Sequence, residues 1–147
     1  MAAARFVDRH VPTVMARIAR RLERELEVRF SREWGVRADM AVWRTMSALV
    51  DVPSESVTRL AATCLLQQPT MTKLLDRLVR DGLVRRSESP RDRRVVEVSL
   101  TAAGTALAER MLAIAETHEG DLLGRYPALA GLGLPETLAA MIQEEGL

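Results

Sequence analysis

Near the start of the chain, apolar residues recur every three or four positions with charged residues between them. This spacing places them on one face of a helix with about 3.6 residues per turn. The periodic positions are Val7, Val11, Val14, Ile18, Leu22, Leu26 and Phe30. We therefore predict an amphipathic helix over residues 6–31, after which Gly35 interrupts the pattern. A second helix is predicted over about residues 39–51 and is ended by Pro53. The apolar face of the second helix would comprise Met40, Trp43, Met46, Leu49 and Val50.

Two shorter helices with a brief connection are predicted between residues 54 and 82. Ser54 or Ser56 is a candidate N-cap of the first helix. Pro69 suits the first position of the second helix, because the N–H that proline lacks would have no hydrogen-bond partner within the helix there. That helix ends at Gly82, since glycine adopts the left-handed conformation that follows many helices. The apolar positions are Val57, Leu60, Ala61 and Cys64 in the first helix, and Met71, Leu74, Leu75, Leu78 and Val79 in the second. The pair predicts a helix-turn-helix.

The apolar period then changes from helical to alternating, which predicts a β-hairpin. Residues 83–88 and 95–100 form its two strands, and residues 89–92 form its loop. Thr101 is a candidate N-cap for a long helix over residues 102–125, and Pro135 starts a last helix after a glycine-containing turn. The predicted fold is mainly α with a small β-hairpin wing, a winged helix-turn-helix flanked by helices at both ends.

Composition and charge place this chain among the globular proteins with an anionic partner. The 147 residues are 48% hydrophobic, which suffices for a core, and only 3% aromatic. The net charge is +1, yet residues 70–94 hold eight Lys and Arg against four Asp and Glu, so this quarter carries +4. A single cysteine excludes an internal disulfide and suits a reducing compartment. Without a signal peptide or an apolar run of about 18 residues, we expect a cytoplasmic protein.

The basic quarter contains candidate DNA ligands in the second helix and in the hairpin loop. The first turn of the second helix is where a helix-turn-helix reads base edges in the major groove. We expect these contacts from Gln67, Gln68, Thr70, Thr72 and Lys73. The hairpin arginines suit the minor groove or the phosphates, where negative potential is high. These are Arg91, Arg93 and Arg94.

Asp92 does not suit a phosphate contact, because a carboxylate is repelled there. We expect it to organise the wing by pairing with Arg94 or with Arg77, and Arg77 itself either contacts phosphate or braces Asp92. The basic loop could also be an ordinary solvated charge run. We prefer DNA contact, since neutralised phosphates supply much of the affinity of DNA-binding proteins.

One stretch resembles the signature of the multiple antibiotic resistance regulator (MarR) family. It covers residues 74–104 and reads LLDRLVRDGLVRRSESPRDRRVVEVSLTAAG. The family pattern contains a D-R-L element, a G-L-V junction, a wing with D-x-R, and then V-x-L-T. The matching residues are Asp76-Arg77-Leu78, Gly82-Leu83-Val84, Asp92-Arg93-Arg94 and Val98-Ser99-Leu100-Thr101.

The resemblance implies a homodimeric transcriptional regulator, most often a repressor, on pseudo-palindromic double-stranded DNA. Residues 1–35 and 102–147 would then form dimerisation helices, and residues 38–101 the DNA-binding region. It also implies release by a small ligand, often an aromatic acid, or by an oxidant. An effector pocket could be lined by Met15, Arg17, Trp34, Trp43 and Met46.

Other functions receive less support from the residues. Cys64 could sense oxidants, but its position on an apolar helix face favours a core role. His10 and His118 have no partner at metal-ligand spacing, so we expect no metal or other cofactor. No nucleophile, base or phosphate-loop pattern indicates an enzyme. The alternatives to a DNA-binding regulator are a dimeric interaction module without DNA binding and a cysteine-based redox regulator.

Overall fold

The computed structural model describes residues 5–34 and 39–144, without the side chains of Trp34 and Ala130. The chain divides into two compact units, Met1–Met40 and Ala41–Leu147. Most described residues are helical, and three short strands form one antiparallel sheet. The predicted class, mainly α with a β-hairpin wing in a winged helix-turn-helix, is confirmed. No described helix is long and apolar enough to span a membrane.

The first unit consists of a 3₁₀ turn and one long helix. The turn is Phe6–Asp8, and helix α1 is Val11–Trp34. The predicted start of this helix at residue 6 was wrong, because Pro12 inside a helix would clash with the carbonyl four residues earlier. In the structure Pro12 lies in the first turn of α1, where a missing N–H is tolerated.

Asp8 links the 3₁₀ turn to α1. Its carboxylate accepts hydrogen bonds from the guanidinium groups of Arg17, at 2.9 Å, and Arg5, at 3.1 Å. Both bonds lower the pKa of Asp8, and the bond from Arg17 has the larger effect. The pair therefore holds the turn against the helix that follows it.

The helix-turn-helix begins the second unit. Helix α2 is Met40–Ala48 and is followed by strand β1, Glu55–Ser56, helix α3, Val57–Thr63, and helix α4, Gln68–Arg80. Helix α2 ends three residues before the predicted position, in a turn that precedes Pro53. Of the two predicted candidates, Ser56 is the N-cap of α3. Asp81-Gly82 ends α4, as predicted.

The wing is a hairpin with a third strand added at one edge. Strand β2 is Val84–Glu88 and strand β3 is Val96–Leu100; both bounds lie within one residue of the prediction. The strand order is β1-β3-β2, with Val84 opposite Leu100 and Glu55 opposite Val98. Strand β1 was not predicted, since two residues are too few to show alternation.

The first turn of helix α5, Ala102–Arg125, packs closely against Gly82 and Leu83, which join α4 to β2. The hydroxyl of Thr101 accepts from the Gly104 N–H at 3.0 Å, which confirms the predicted cap, and donates to the Gly82 carbonyl at 2.6 Å. A Cβ on Gly104 would lie 1.9 Å from the carbonyl oxygen of Leu83, so only glycine fits there. Helices α6, Pro127–Gly131, and α7, Leu134–Glu144, complete the unit. The short α6 was not predicted.

The core of the second unit positions α4 for function. The fully buried side chains come from several of its elements. They include Met46, Leu49, Leu60, Met71, Leu75, Leu78, Val98 and Met111. Helix α4 buries one face in this core and leaves the opposite face exposed, so its polar residues are held outward by the packing of its apolar ones.

Candidate nucleic-acid interface

The exposed face of α4 presents the polar residues that the sequence assigned to DNA. The five on the helix itself are all exposed: Gln68, Thr70, Thr72, Lys73 and Arg77. The Thr72 hydroxyl donates to the Gln68 carbonyl at 3.0 Å, which leaves its lone pairs accessible. Within the described chain, the Lys73 ammonium has no hydrogen bond or ion pair, so its charge is available to a phosphate.

Gln67 and Gln68 differ in how they are held. Gln67 is the N-cap residue of α4, and its side chain makes no capping hydrogen bond. The Gln68 amide Nε2 donates to the hydroxyl of Thr58 on α3, at 3.0 Å. The first turn of α4 is therefore joined to the first turn of α3 through a side chain that also faces solvent.

Asp92 organises the tip of the wing through Arg94. Its Oδ1 accepts from the Arg94 backbone N–H at 3.0 Å and from the Arg94 Nε at 3.2 Å. Both bonds lower the pKa of Asp92, and the bond from the backbone N–H has the larger effect. Of the two partners expected for Asp92, the geometry pairs it with Arg94, whose side chain is 90% exposed.

The other wing arginines extend into solvent beside a second carboxylate. Arg91 and Arg93 are exposed. Glu97 on β3 accepts a hydrogen bond from the Ser54 hydroxyl at 2.6 Å. That bond, a second from Ser89 and the charge of Arg91 together lower the pKa of Glu97. Through these two bonds, Glu97 connects Ser54, in the segment before α3, with Ser89 at the start of the hairpin loop.

The sequence reasoning missed an ion pair between the wing and α4. The Arg86 Nη1 on β2 donates to the Asp76 carboxylate on α4 at 2.6 Å, and Nη2 donates to the Thr72 carbonyl at 3.2 Å. The available signal was strand alternation, because Arg86 shares a strand face with buried Val84. The pair neutralises a carboxylate on the exposed face of α4 and holds β2 beside that helix.

Cys64 has the environment of a core residue. Its side chain is fully buried, and the Thr45 hydroxyl lies 3.7 Å from its sulfur. Burial raises the pKa of the thiol, which disfavours the reactive thiolate. The structure therefore offers no support for the redox alternative.

The residues expected to line an effector pocket fall into both units. In the first, Met15 is exposed and Arg17 lines a shallow cavity of about 400 Å³ with Asp8, Val14, Ile18 and Arg21. In the second, Trp43 is half-buried, whereas Met46 is fully buried and presents no surface to a ligand. The side chain of Trp34 lies outside the described residues.

His10 and His118 lie in different environments. The His10 Nδ1 is 2.8 Å from the Thr13 hydroxyl, and His118 is buried in α5. Among the residues that the structure describes, no group of three or more His, Cys, Asp or Glu could hold a metal ion.

Comparison with known proteins identifies the family. The sequence model of the MarR family matches residues 40–96, which span α2 to the start of β3. The crystal structure of a MarR family transcriptional regulator from Silicibacter pomeroyi DSS-3 superposes with a TM-score of 0.78 and 31% sequence identity. The alignment covers 95% of this chain and 99% of that one. This chain belongs to the MarR family.

Two further proteins resemble part or all of the chain. The homoprotocatechuate degradative operon repressor of Escherichia coli is 38% identical over 68 residues. That stretch is 46% of this chain and 46% of the repressor, so the match spans about half the length of either protein. The transcriptional repressor CouR, solved on a 23-mer DNA duplex, has the same fold, with a TM-score of 0.75 and 22% identity over 95% of this chain and 99% of its own.

Proposed function

We propose that this MarR family regulator is a homodimeric repressor that binds a pseudo-palindromic operator. Residues 38–101 bind DNA, with residues 67–77 in the major groove and residues 91–94 in the minor groove or on the phosphates. Residues 1–35 and 102–147 form the dimer. A small ligand then releases the operator by changing the spacing of the two α4 helices.

The observation that carries this proposal is the distribution of paired and available charges around α4 and the wing. Arg86 neutralises Asp76, and the Asp92 carboxylate is bonded to Arg94. Lys73, Arg91 and Arg93 extend into solvent as cations. A helix that exposes polar side chains beside a hairpin of arginines matches the electrostatic footprint of a DNA-binding surface. The DNA-bound CouR structure, of the same fold, supports this assignment.

Exposed apolar side chains at both ends of the chain support the dimer. In the first unit Phe6, Val11, Met15 and Ile18 are exposed, and in the second Leu132, Met141 and Ile142 are exposed. Apolar surface of this kind on a single protomer is typical of an interface. Sedimentation equilibrium should give twice the protomer mass of 16.3 kDa; a single-protomer mass at micromolar concentration would exclude the dimer.

The effector class is inferred from a relative and from Arg17. The Escherichia coli repressor is named for the degradation of homoprotocatechuate, an aromatic acid. An aromatic carboxylate would bind the Arg17 guanidinium in competition with the Asp8 carboxylate, which bonds to it at 2.9 Å, and would find apolar contact in Met15. Titration of the protein–DNA complex with aromatic acids should release DNA, and an Arg17→Ala variant should need more of the acid. Release at the same concentration from both proteins would exclude Arg17 as a contact.

The decisive experiment is binding to the DNA that flanks the protein's own gene. Fluorescence anisotropy at two salt concentrations, with a shuffled duplex as control, should show tight binding to the flanking DNA alone. The logarithm of the affinity should fall with the logarithm of salt, with a slope of about 0.9 per neutralised phosphate. Binding insensitive to salt would favour the interaction-module alternative, whereas equal binding to both duplexes would mean either that module or an operator that lies elsewhere.

A further inference from the structure

Gln68 differs from its neighbours at the start of α4 in having its functional group held by another helix. Its amide Nε2 lies 3.0 Å from the hydroxyl of Thr58, and its side chain is exposed. Thr72, by contrast, bonds back to the carbonyl of Gln68 within the same helix. An exposed glutamine normally samples many rotamers, and fixing one costs conformational entropy. The contact with Thr58 removes part of that cost before any ligand arrives.

Thr58 is itself in a well-defined position. It is the second residue of α3, and the Ser56 hydroxyl caps that helix by accepting from the Arg59 backbone N–H at 3.3 Å. Arg59 also pairs with Glu55 at 3.4 Å. The first turn of α3 is therefore rigid enough to act as a fixed support for the Gln68 amide.

The groups that remain on the Gln68 amide suit one base. A carboxamide has two N–H donors and a carbonyl acceptor, and Thr58 uses one donor. If the N–H anti to the carbonyl is the one that bonds to Thr58, the other N–H stays beside the carbonyl oxygen. Adenine presents the matching pair in the major groove, an N7 acceptor beside an N6 donor, whereas guanine presents two acceptors.

We propose that Gln68 reads an adenine in each operator half-site and that Thr58 is the positioning residue that orients its amide. This inference rests on the proposed DNA-binding function, and it names a specificity determinant within that surface. Thr58 acts through Gln68 and need not touch a base.

The test is a complete base-substitution profile. A site is selected from random duplex DNA by the wild-type protein, and affinities are then measured for every single base-pair change at constant salt. The variants are Gln68→Ala, Thr58→Val, which keeps the shape of threonine without its hydroxyl, and the control Thr117→Val, an exposed threonine on α5. Since all three side chains are exposed, circular dichroism should show unchanged folding.

We expect one A·T pair per half-site whose replacement weakens wild-type binding about tenfold. Gln68→Ala should lose this discrimination, Thr58→Val should lose part of it at the same pair only, and Thr117→Val should keep it. If Gln68→Ala keeps the full wild-type profile, or Thr58→Val discriminates fully, the inference is wrong while DNA binding stands. If the wild-type protein selects no sequence at all, the proposed function fails and this inference fails with it.

Discussion

The ion pair between Arg86 and Asp76 should hold the wing and α4 together as one body. Arg86 belongs to β2, whereas Asp76 and Thr72 belong to α4, so a single guanidinium bridges two elements. Replacing Arg86 by alanine removes both contacts and leaves the Asp76 carboxylate without this partner. The wing then loses a restraint on its angle to α4.

The magnitude follows from the geometry and the exposure of the pair. The Nη1–Oδ1 distance is 2.6 Å, and the side chains of Arg86 and Asp76 are 32% and 51% exposed. A solvent-exposed ion pair contributes about 0–1 kcal/mol, because water screens the attraction. The second hydrogen bond, to the Thr72 carbonyl, adds about 0.5–1.5 kcal/mol. We therefore expect Arg86→Ala to lower the free energy of unfolding by about 1–2 kcal/mol.

The assay is a double-mutant cycle with urea denaturation, using Arg86→Ala, Asp76→Asn and both together. The coupling free energy should be about 0.5–1 kcal/mol at low salt and should decrease as salt is added. Arg85→Ala is the matched control, since this neighbouring arginine bonds to Ser99 within the sheet. Operator affinity should fall about fivefold more in Arg86→Ala than in Arg85→Ala, which corresponds to about 1 kcal/mol.

Two results would refute the reasoning. A coupling free energy no larger than that of a control cycle between Arg85→Ala and Asp76→Asn would mean that the pair contributes nothing specific. Equal operator affinities of the Arg86 and Arg85 variants would mean that only net charge matters, since each variant loses one positive charge.

Substitutions at three further sites, two of them with a control variant, test other parts of the structure. Gly104→Ala should destabilise the protein by about 3 kcal/mol or more, because its Cβ would meet the Leu83 carbonyl. Gly120→Ala, in the same helix, has open space and should be neutral or stabilising. Thermal unfolding measures both. Leu65→Gly should stabilise the protein by about 1 kcal/mol, since Leu65 is exposed and has a φ of 57°, which strains any residue but glycine. Leu65→Ala should change stability little, because the strain remains. Equal effects of the two variants would contradict this explanation. Glu97→Gln tests the lowered pKa of Glu97: the stability difference from wild type should be largest above the ordinary value of 4.5 and shrink as pH falls through the lower folded value. Denaturation midpoints across that range measure it, and a difference that grows on acidification would overturn the assignment.

The amino-acid sequence by itself determined most of the helices, the hairpin and the basic quarter of the chain, but neither the short α6 nor the start of α1. Apolar residues at helical or alternating spacing report which face of an element is buried, and this is a local property. Cap and stop signals are local as well, so Thr101 and Gly82 could be assigned to helix ends from their neighbours, and the N-cap of α3 could be narrowed to Ser54 or Ser56. The motifs at residues 74–104 then indicated the family that the structural comparison showed.

The tertiary structure alone decided which polar groups pair with each other and which remain for a ligand. Arg86 and Lys73 are both cations near α4, yet only packing of β2 against that helix places Arg86 on Asp76. The contacts of Gln68 with Thr58 and of Glu97 with Ser54 join residues 10 and 43 positions apart in the chain. Periodicity carries no information about such pairs, because their distances depend on how separate elements pack. The short strand β1 belongs here too, since two residues become a strand only when β3 supplies their hydrogen-bond partners.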